Sequence, residues 1–189
     1  MIPDYHSALR ATGDYPKVSE FVGDRGIAFQ HDLAKGFPAR MLAADVLYSD
    51  LPWRDGYTKF HTRAGVTPAE PYYELLGRVA NAIRSVGRPA VMITGRHACA
   101  TLKPDSIADA TLNSDGVFAC LWGMPAWTGR RDAKEILRRL AVQYQCVGDF
   151  CCGYGRAGWT FSGHKKRYIL SDINASCIGY IAEHAKEWG

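Results

Sequence analysis

The feature that most constrains this chain is the recurrence of short, uninterrupted apolar runs separated by stretches with helical spacing. The runs are Gly26–Gln30 (GIAFQ), Asp45–Ser49 (DVLYS), Ala90–Thr94 (AVMIT), Val117–Trp122 (VFACLW), Cys146–Phe150 and Arg167–Ser171. A strand with one wet face alternates apolar and polar residues, whereas a strand covered on both faces reads as a continuous apolar segment. Between the runs, Pro71–Val86 places Leu75, Leu76, Val79, Ala80 and Ile83 at helical spacing, with Glu70 and Glu74 where the helix dipole favours acids. Asp132–Gln143 does the same with Ile136, Leu137, Leu140 and Ala141, and a last helix is predicted from about Ala175 to Glu187. Leu33–Ala43 is a further helical pattern, shortened by Gly36 and Pro38. Six strands interleaved with helices predict a three-layer α/β domain around a mostly parallel sheet.

A length of 189 residues suits one domain, 1–189, with residues 1–25 as an irregular or partly helical lead-in and 54–68 as a loop. The hydrophobic fraction of 47% and charged fraction of 22% exclude wholesale disorder. No apolar run approaches the ~18 residues of a membrane span, and the start MIPDYHSALR carries no signal-peptide block, so an intracellular domain with no membrane partner is expected. The net charge of +4 permits a polyanionic partner without demanding one. The six cysteines include no C-x-x-C pair, and the adjacent Cys151-Cys152 is poor ligand spacing. Packed, reduced thiols and no metal are expected.

In an open α/β sheet, ligands bind at the carboxyl ends of the strands. After the fifth run, Gly153, Gly155 and Gly158 form G-x-G-x-x-G, which allows a tight turn and lets main-chain N–H groups approach a ligand. The same glycines also suit a plain strand-to-helix turn. The next run ends at Asp172, about 17 residues past Gly155, near the spacing at which an acid bonds a ribose hydroxyl pair. Asp172 could equally cap the last helix, a role open to Asn174 as well. Together these residues suggest an adenosine-containing cofactor, and a nicotinamide oxidoreductase would use the same loop. The second run leads into Asp50-Leu51-Pro52-Trp53. One reading is a turn with Trp53 packed in the core. The other is transfer to an exocyclic amine, with a carboxylate and a main-chain carbonyl accepting its N–H bonds and an aromatic stacking on an extruded base.

On these residues the chain resembles the S-adenosylmethionine-dependent amino-group DNA methyltransferases, the N6-adenine and N4-cytosine enzymes. Their catalytic Asp/Asn/Ser-Pro-Pro-Tyr/Phe/Trp is matched by Asp50-Leu51-Pro52-Trp53, and their Asp-Pro-Phe-x-Gly-x-Gly cofactor loop by Asp149-Phe150-Cys151-Cys152-Gly153-Tyr154-Gly155. The family acid after the following strand matches Asp172, and His31-Asp32-Leu33 resembles the family segment that precedes the catalytic strand. Arg130–Leu137 takes the place of the family's Lys-Pro and helix ahead of the glycine loop, with Arg-Asp for Lys-Pro. The catalytic motif comes roughly 100 residues before the loop, the order of the circularly permuted β-class.

The resemblance covers about residues 26–187 and implies a Rossmann-like methyltransferase fold with S-adenosyl-L-methionine as cofactor. It implies cofactor contacts at Asp32, Asp149, Phe150, Cys151, Gly153, Gly155 and Asp172, and adenine N6 in DNA, ahead of RNA, as the target. It further implies a cytoplasmic setting in a bacterial or phage-infected cell. Leu51 departs from the family's first proline but keeps the carbonyl that serves as the second acceptor. The separate target-recognition region of the β-class has only 54–70 and 95–116 to occupy, where Arg54, Lys59, Arg63, Arg96, His97 and Lys103 are candidates for phosphate contact. The lost proline and the small size also fit a weak or inactive methyltransferase-like subunit that binds nucleic acid, supports a protein partner or forms a homodimer.

Overall fold

A computed structural model describes residues 15–51, 54–111 and 116–188. Among them the strands are β1 (Glu20–Gly23), β2 (Gly26–Gln30), β3 (Val46–Asp50), β4 (Ala90–Gly95), β5 (Ser106–Thr111), β6 (Val117–Trp122), β7 (Arg131–Asp132), β8 (Cys146–Asp149) and β9 (Arg167–Asp172). They form one sheet in the order β1-β2-β9-β8-β3-β4-β6-β5-β7. The five strands from β2 to β4 in that order run parallel, while β1, β6 and the β5–β6 pairing are antiparallel. The helices are α1 (Arg54–Arg63), α2 (Tyr72–Val86), α3 (Arg96–Leu102), α4 (Ala133–Gln143), α5 (Arg156–Gly163) and α6 (Ala175–His184).

Each central strand sends successive side chains to opposite faces, and both faces are apolar. Val46, Tyr48, Val91, Ile93, Val147 and Leu170 pack under α4, α5 and α6. Leu47, Ala90, Met92, Cys146 and Ile169 pack under α1, α2 and α3. This is the expected three-layer α/β/α arrangement, and all six apolar runs are strands. The boundaries move by a residue at most: β3 runs through Asp50, and β9 through Asp172.

The short elements depart from expectation. Residues 54–68 do not form a loop, because 54–63 are helical. Tyr57 and His61, one turn apart, are both buried, and the His61 Nδ1–H donates to the Tyr57 carbonyl at 2.8 Å. Tertiary burial of that stripe outweighs a locally polar, glycine-containing sequence. Leu33–Ala43 is two 3-10 turns, Leu33–Lys35 and Ala39–Ala43, on either side of Gly36 and Pro38. The 95–116 segment holds α3 and β5 rather than a continuous loop, and the lead-in contains β1. β5 (SIADAT) has no apolar run, yet it forms between β6 and β7, with Ala108 and Ala110 buried and Ile107 outside.

β8 and β3 are neighbours in the sheet, but the chain leaves them in opposite directions. From β8 it passes through α5 to β9 on one side, and from β3 through α1 and α2 to β4 on the other. A crevice opens where such paths diverge, at the carboxyl ends of the strands.

Candidate active site

That crevice is a cavity of about 560 Å³, within the ~300–1,000 Å³ typical of sites for small ligands. Its floor comes from the carboxyl ends of four parallel strands: Asp32 just past β2, Asp50 on β3, Asp149 on β8 and Asp172 on β9. Leu51, Phe150, Cys151 and Gly153 line it as well. These eight residues, all singled out from the motifs, therefore meet in one place. Gly155 lies behind the wall rather than on it, against Trp188 and Ile181. Pro52 and Trp53 lie outside the described residues, as does the Arg54 side chain. The strand ends converge because β2, β9, β8 and β3 are in register at this edge: Gln30 faces Asp172, and Tyr48 faces Asp149.

The glycine loop is held from below. The Cys152 N–H donates to the Ser171 carbonyl at 2.9 Å, and the Gly155 N–H to the Cys152 carbonyl at 2.8 Å. The Asp172 carboxylate accepts the Gly153 N–H on one oxygen at 2.8 Å and the Asn174 N–H on the other at 2.9 Å. Asp172 thus ties β9 to the loop after β8, and Asn174 is the cap of α6, accepting the Ser176 N–H at 3.0 Å. A carboxylate has about four acceptor positions, so both oxygens retain capacity toward the cavity. Gly155 turns the chain into α5 at φ +83°, and a Cβ there would lie 2.5 Å from the Trp188 ring. Only glycine meets both demands. Asp32 accepts the Ala34 N–H at 2.9 Å and caps the first 3-10 turn.

Electrostatically the floor is crowded with acids. Burial pushes Asp50 up to about 6, with the Arg156 guanidinium opposing the rise. Asp149, 3% exposed, is pushed well above the ordinary carboxylate range by burial, and the Asp50 and Asp172 carboxyls add to the effect. Burial also raises Asp172, against the lowering effect of the Asn174, Gly153 and Ile173 N–H groups. The Cys151, Cys152 and Cys177 thiols beside the acids are raised in turn, chiefly by burial, and stay protonated at neutral pH. A floor of carboxylates suits a ligand carrying positive charge.

The wall facing this floor is not evident from the motifs. α1 brings Tyr57, Phe60, His61 and Arg63 to the cavity, and α5 brings Arg156. Phe60 is 47% exposed, with the Arg63 guanidinium in cation–π contact 5.6 Å from its ring centre. The one signal in the sequence is the Tyr57–His61 spacing, masked by Gly56 and the surrounding polar residues. Of the basic candidates, Lys59, Arg63, Arg96 and His97 are exposed on α1 and α3, and Lys103 follows the far end of α3.

No protein-family profile matches the chain, and no curated protein sequence does. Solved structures do. The chain superposes on the M1.HpyAVI–SAM complex with a TM-score of 0.52 at 11% identity, covering 84% of this chain and 97% of that one. It superposes on TTHA0409 from Thermus thermophilus, complexed with S-adenosyl-L-methionine, with a TM-score of 0.52 at 11% identity over 82% of this chain and 90% of that one. The cytosine-N4-specific PvuII DNA methyltransferase gives 0.50 at 10% identity over 93% and 94%. The fold is that of a Rossmann-like methyltransferase. Along the chain β3 with Asp50 precedes β8 with the glycine loop, and the two are neighbours in the sheet.

Proposed function

We propose that this chain transfers a methyl group from S-adenosyl-L-methionine to the exocyclic amino group of a base in DNA, with adenine N6 as the target. The observation that carries the proposal is the meeting, in one cavity, of the Asp50 carboxylate and the loop Asp149–Gly155 tied down by Asp172. The fold shared with methyltransferases, two of them in complex with S-adenosyl-L-methionine, supports it.

The residues present fit the cofactor: the cavity has the volume for it, and the acidic floor matches its net positive charge. When bound, it supplies an electrophilic methyl group on a sulfonium. Asp32, Asp149, Phe150, Cys151, Gly153 and Asp172 would hold it, Gly155 setting the turn that keeps the loop open to it. An exocyclic amine is a poor nucleophile because its lone pair is delocalised into the ring. Asp50 accepts one amine N–H and the Leu51 carbonyl the other, which draws the lone pair out of conjugation. A carboxyl poised near 6 is ionised at neutral pH and is still basic enough to take the proton the amine sheds on methylation. Trp53 is assigned the stacking of the extruded base. Asp at position 50 favours adenine, because the cytosine-N4 members of the family the chain resembles more often carry Ser there. Lys59, Arg63, Arg96 and His97 are assigned to phosphates, which position DNA without reading its sequence.

The test is incubation with methyl-labelled cofactor and unmethylated DNA, or RNA, followed by nucleoside analysis. Label in N6-methyladenine from DNA is expected. Label in N4-methylcytosine would revise the target, and label only in RNA would revise the substrate. Cofactor binding with no transfer to either polymer would favour an inactive subunit.

A further inference from the structure

We infer that Tyr15 is a positioning residue for cofactor binding: residues 15–18 cross α6 and set the Tyr15 ring against Tyr154, which holds the Tyr154 ring at the end of the cavity, in contact with the cofactor. The inference rests on the cofactor reading above and adds two residues to which the motifs assign no role.

Tyr154 stands between Gly153 and Gly155 and lines the cavity beside Asp172, Asn174 and Cys177. Its chain neighbours carry no side chains to restrain the ring, so the ring is fixed by what packs on it. Tyr180 of α6 meets it with 5.0 Å between ring centres and 77° between ring planes. Tyr15 meets it at 6.3 Å and 64°, and Tyr15 and Tyr180 meet each other at 5.0 Å and 86°. All three pairs have the separation and edge-to-face geometry at which aromatic rings attract. The three rings close on one another, and Tyr154 alone among them lines the cavity. Behind them, His184 stacks on Tyr180 at 4.2 Å.

The backbone after Tyr15 brings it to this place. The Pro16 carbonyl passes so near α6 that a Cβ on Gly179 would lie 1.8 Å from its oxygen. The crossing is possible because α6 has no side chain there. The Val18 N–H donates to the Ala175 carbonyl in the first turn of α6 at 3.2 Å, and the Gln30 N–H of β2 donates to the Ser19 carbonyl at 2.7 Å. The segment then continues into β1, paired with β2. An aliphatic side chain at position 15 would cover α6 as well, but it has no polarised ring with which to orient Tyr154.

The test is a double-mutant cycle on the full chain, read as the Kd for S-adenosyl-L-methionine by calorimetry, with thermal melts to show that each variant is folded. Tyr154→Ala and Tyr15→Leu are each expected to raise Kd by about three- to tenfold. Tyr15→Phe, which keeps the ring, should stay within twofold of wild type. Tyr15→Leu should add nothing once Tyr154 is replaced, because its effect passes through Tyr154. An unchanged Kd in either single variant, or effects that add in the double variant, overturns the inference. Gly179→Ala probes the same path without touching a ring: its Cβ displaces Pro16, so Kd should rise beside Tyr154 and not in the Tyr154→Ala background. A rise of equal size in both backgrounds overturns the inference. A wild type that binds no S-adenosyl-L-methionine overturns the cofactor reading beneath it, whereas binding by the wild type with additive effects overturns this inference alone.

Discussion

Asp172 and Asp50 are both carboxylates at the ends of parallel strands, two strands apart and facing one cavity, yet they are built in different ways. Asp172 is a construction element, with main-chain N–H groups of the glycine loop and of the start of α6 on its two oxygens. Asp50 closes a strand of buried residues, VLYSD, and burial drives it toward neutrality. Burial raises both carboxyls, but removing Asp172 would leave two main-chain N–H groups without their acceptor. Asp50 is held at a cost in stability, because burial disfavours its ionised form.

The largest effect should come from Asp50. Asp50→Ala is expected to abolish methyl transfer while leaving cofactor affinity nearly intact, measured by label incorporation and calorimetry; full activity in that variant would end the amine-activation mechanism. Asp50→Asn should lose transfer and yet melt at a higher temperature than wild type near pH 7.5. The sign follows from the raised carboxyl: its contribution to stability is present below the unfolded value of 3.8 and is lost as pH rises to about 6. At ~1.4 kcal/mol per unit the gain is on the order of 1–3 kcal/mol, and it should vanish below about pH 4.

Asp172 should respond with the opposite sign. Asp172→Ala removes the acceptor for two main-chain N–H groups, so cofactor affinity should fall tenfold or more and stability by about 1–3 kcal/mol. If Asp172→Ala and Asp50→Asn shift the melting temperature in the same direction, the contrast between the two acids fails. Gly155→Ala tests whether the loop is as fixed as its bonds suggest. A positive φ together with a Cβ 2.5 Å from Trp188 should destabilise by about 1–3 kcal/mol, and denaturant melts with wild-type stability would show that the turn relaxes freely. The smallest effect is expected on the open wall. Arg63→Ala should weaken DNA binding evenly across sequences and lower the salt slope by about 1, read by titration at several salt concentrations.

The legibility of the chain follows the same division. The strands that build the site are readable because burial on both faces demands unbroken apolar runs, as in DVLYS and AVMIT. The glycine loop and its acids are readable because a tight turn after a strand needs backbone without Cβ atoms, as at Gly155, and because the acids close apolar runs. The helix α1 is not, because its stabilising contact, Tyr57 in the apolar cluster under α1, α2 and α3, is made with residues distant in sequence. Nor is β5, whose small and polar residues become a strand only when β6 supplies the hydrogen bonds.

By itself the sequence determined the layers, the parallel strands and eight residues that line the cavity at their carboxyl ends, because periodicity and local turn chemistry act over a few residues. Only the tertiary structure decided how those residues share charge. Asp50, Asp149 and Asp172 stand on strands far apart in the chain, and the burial that raises all three carboxyls exists only once the sheet has formed.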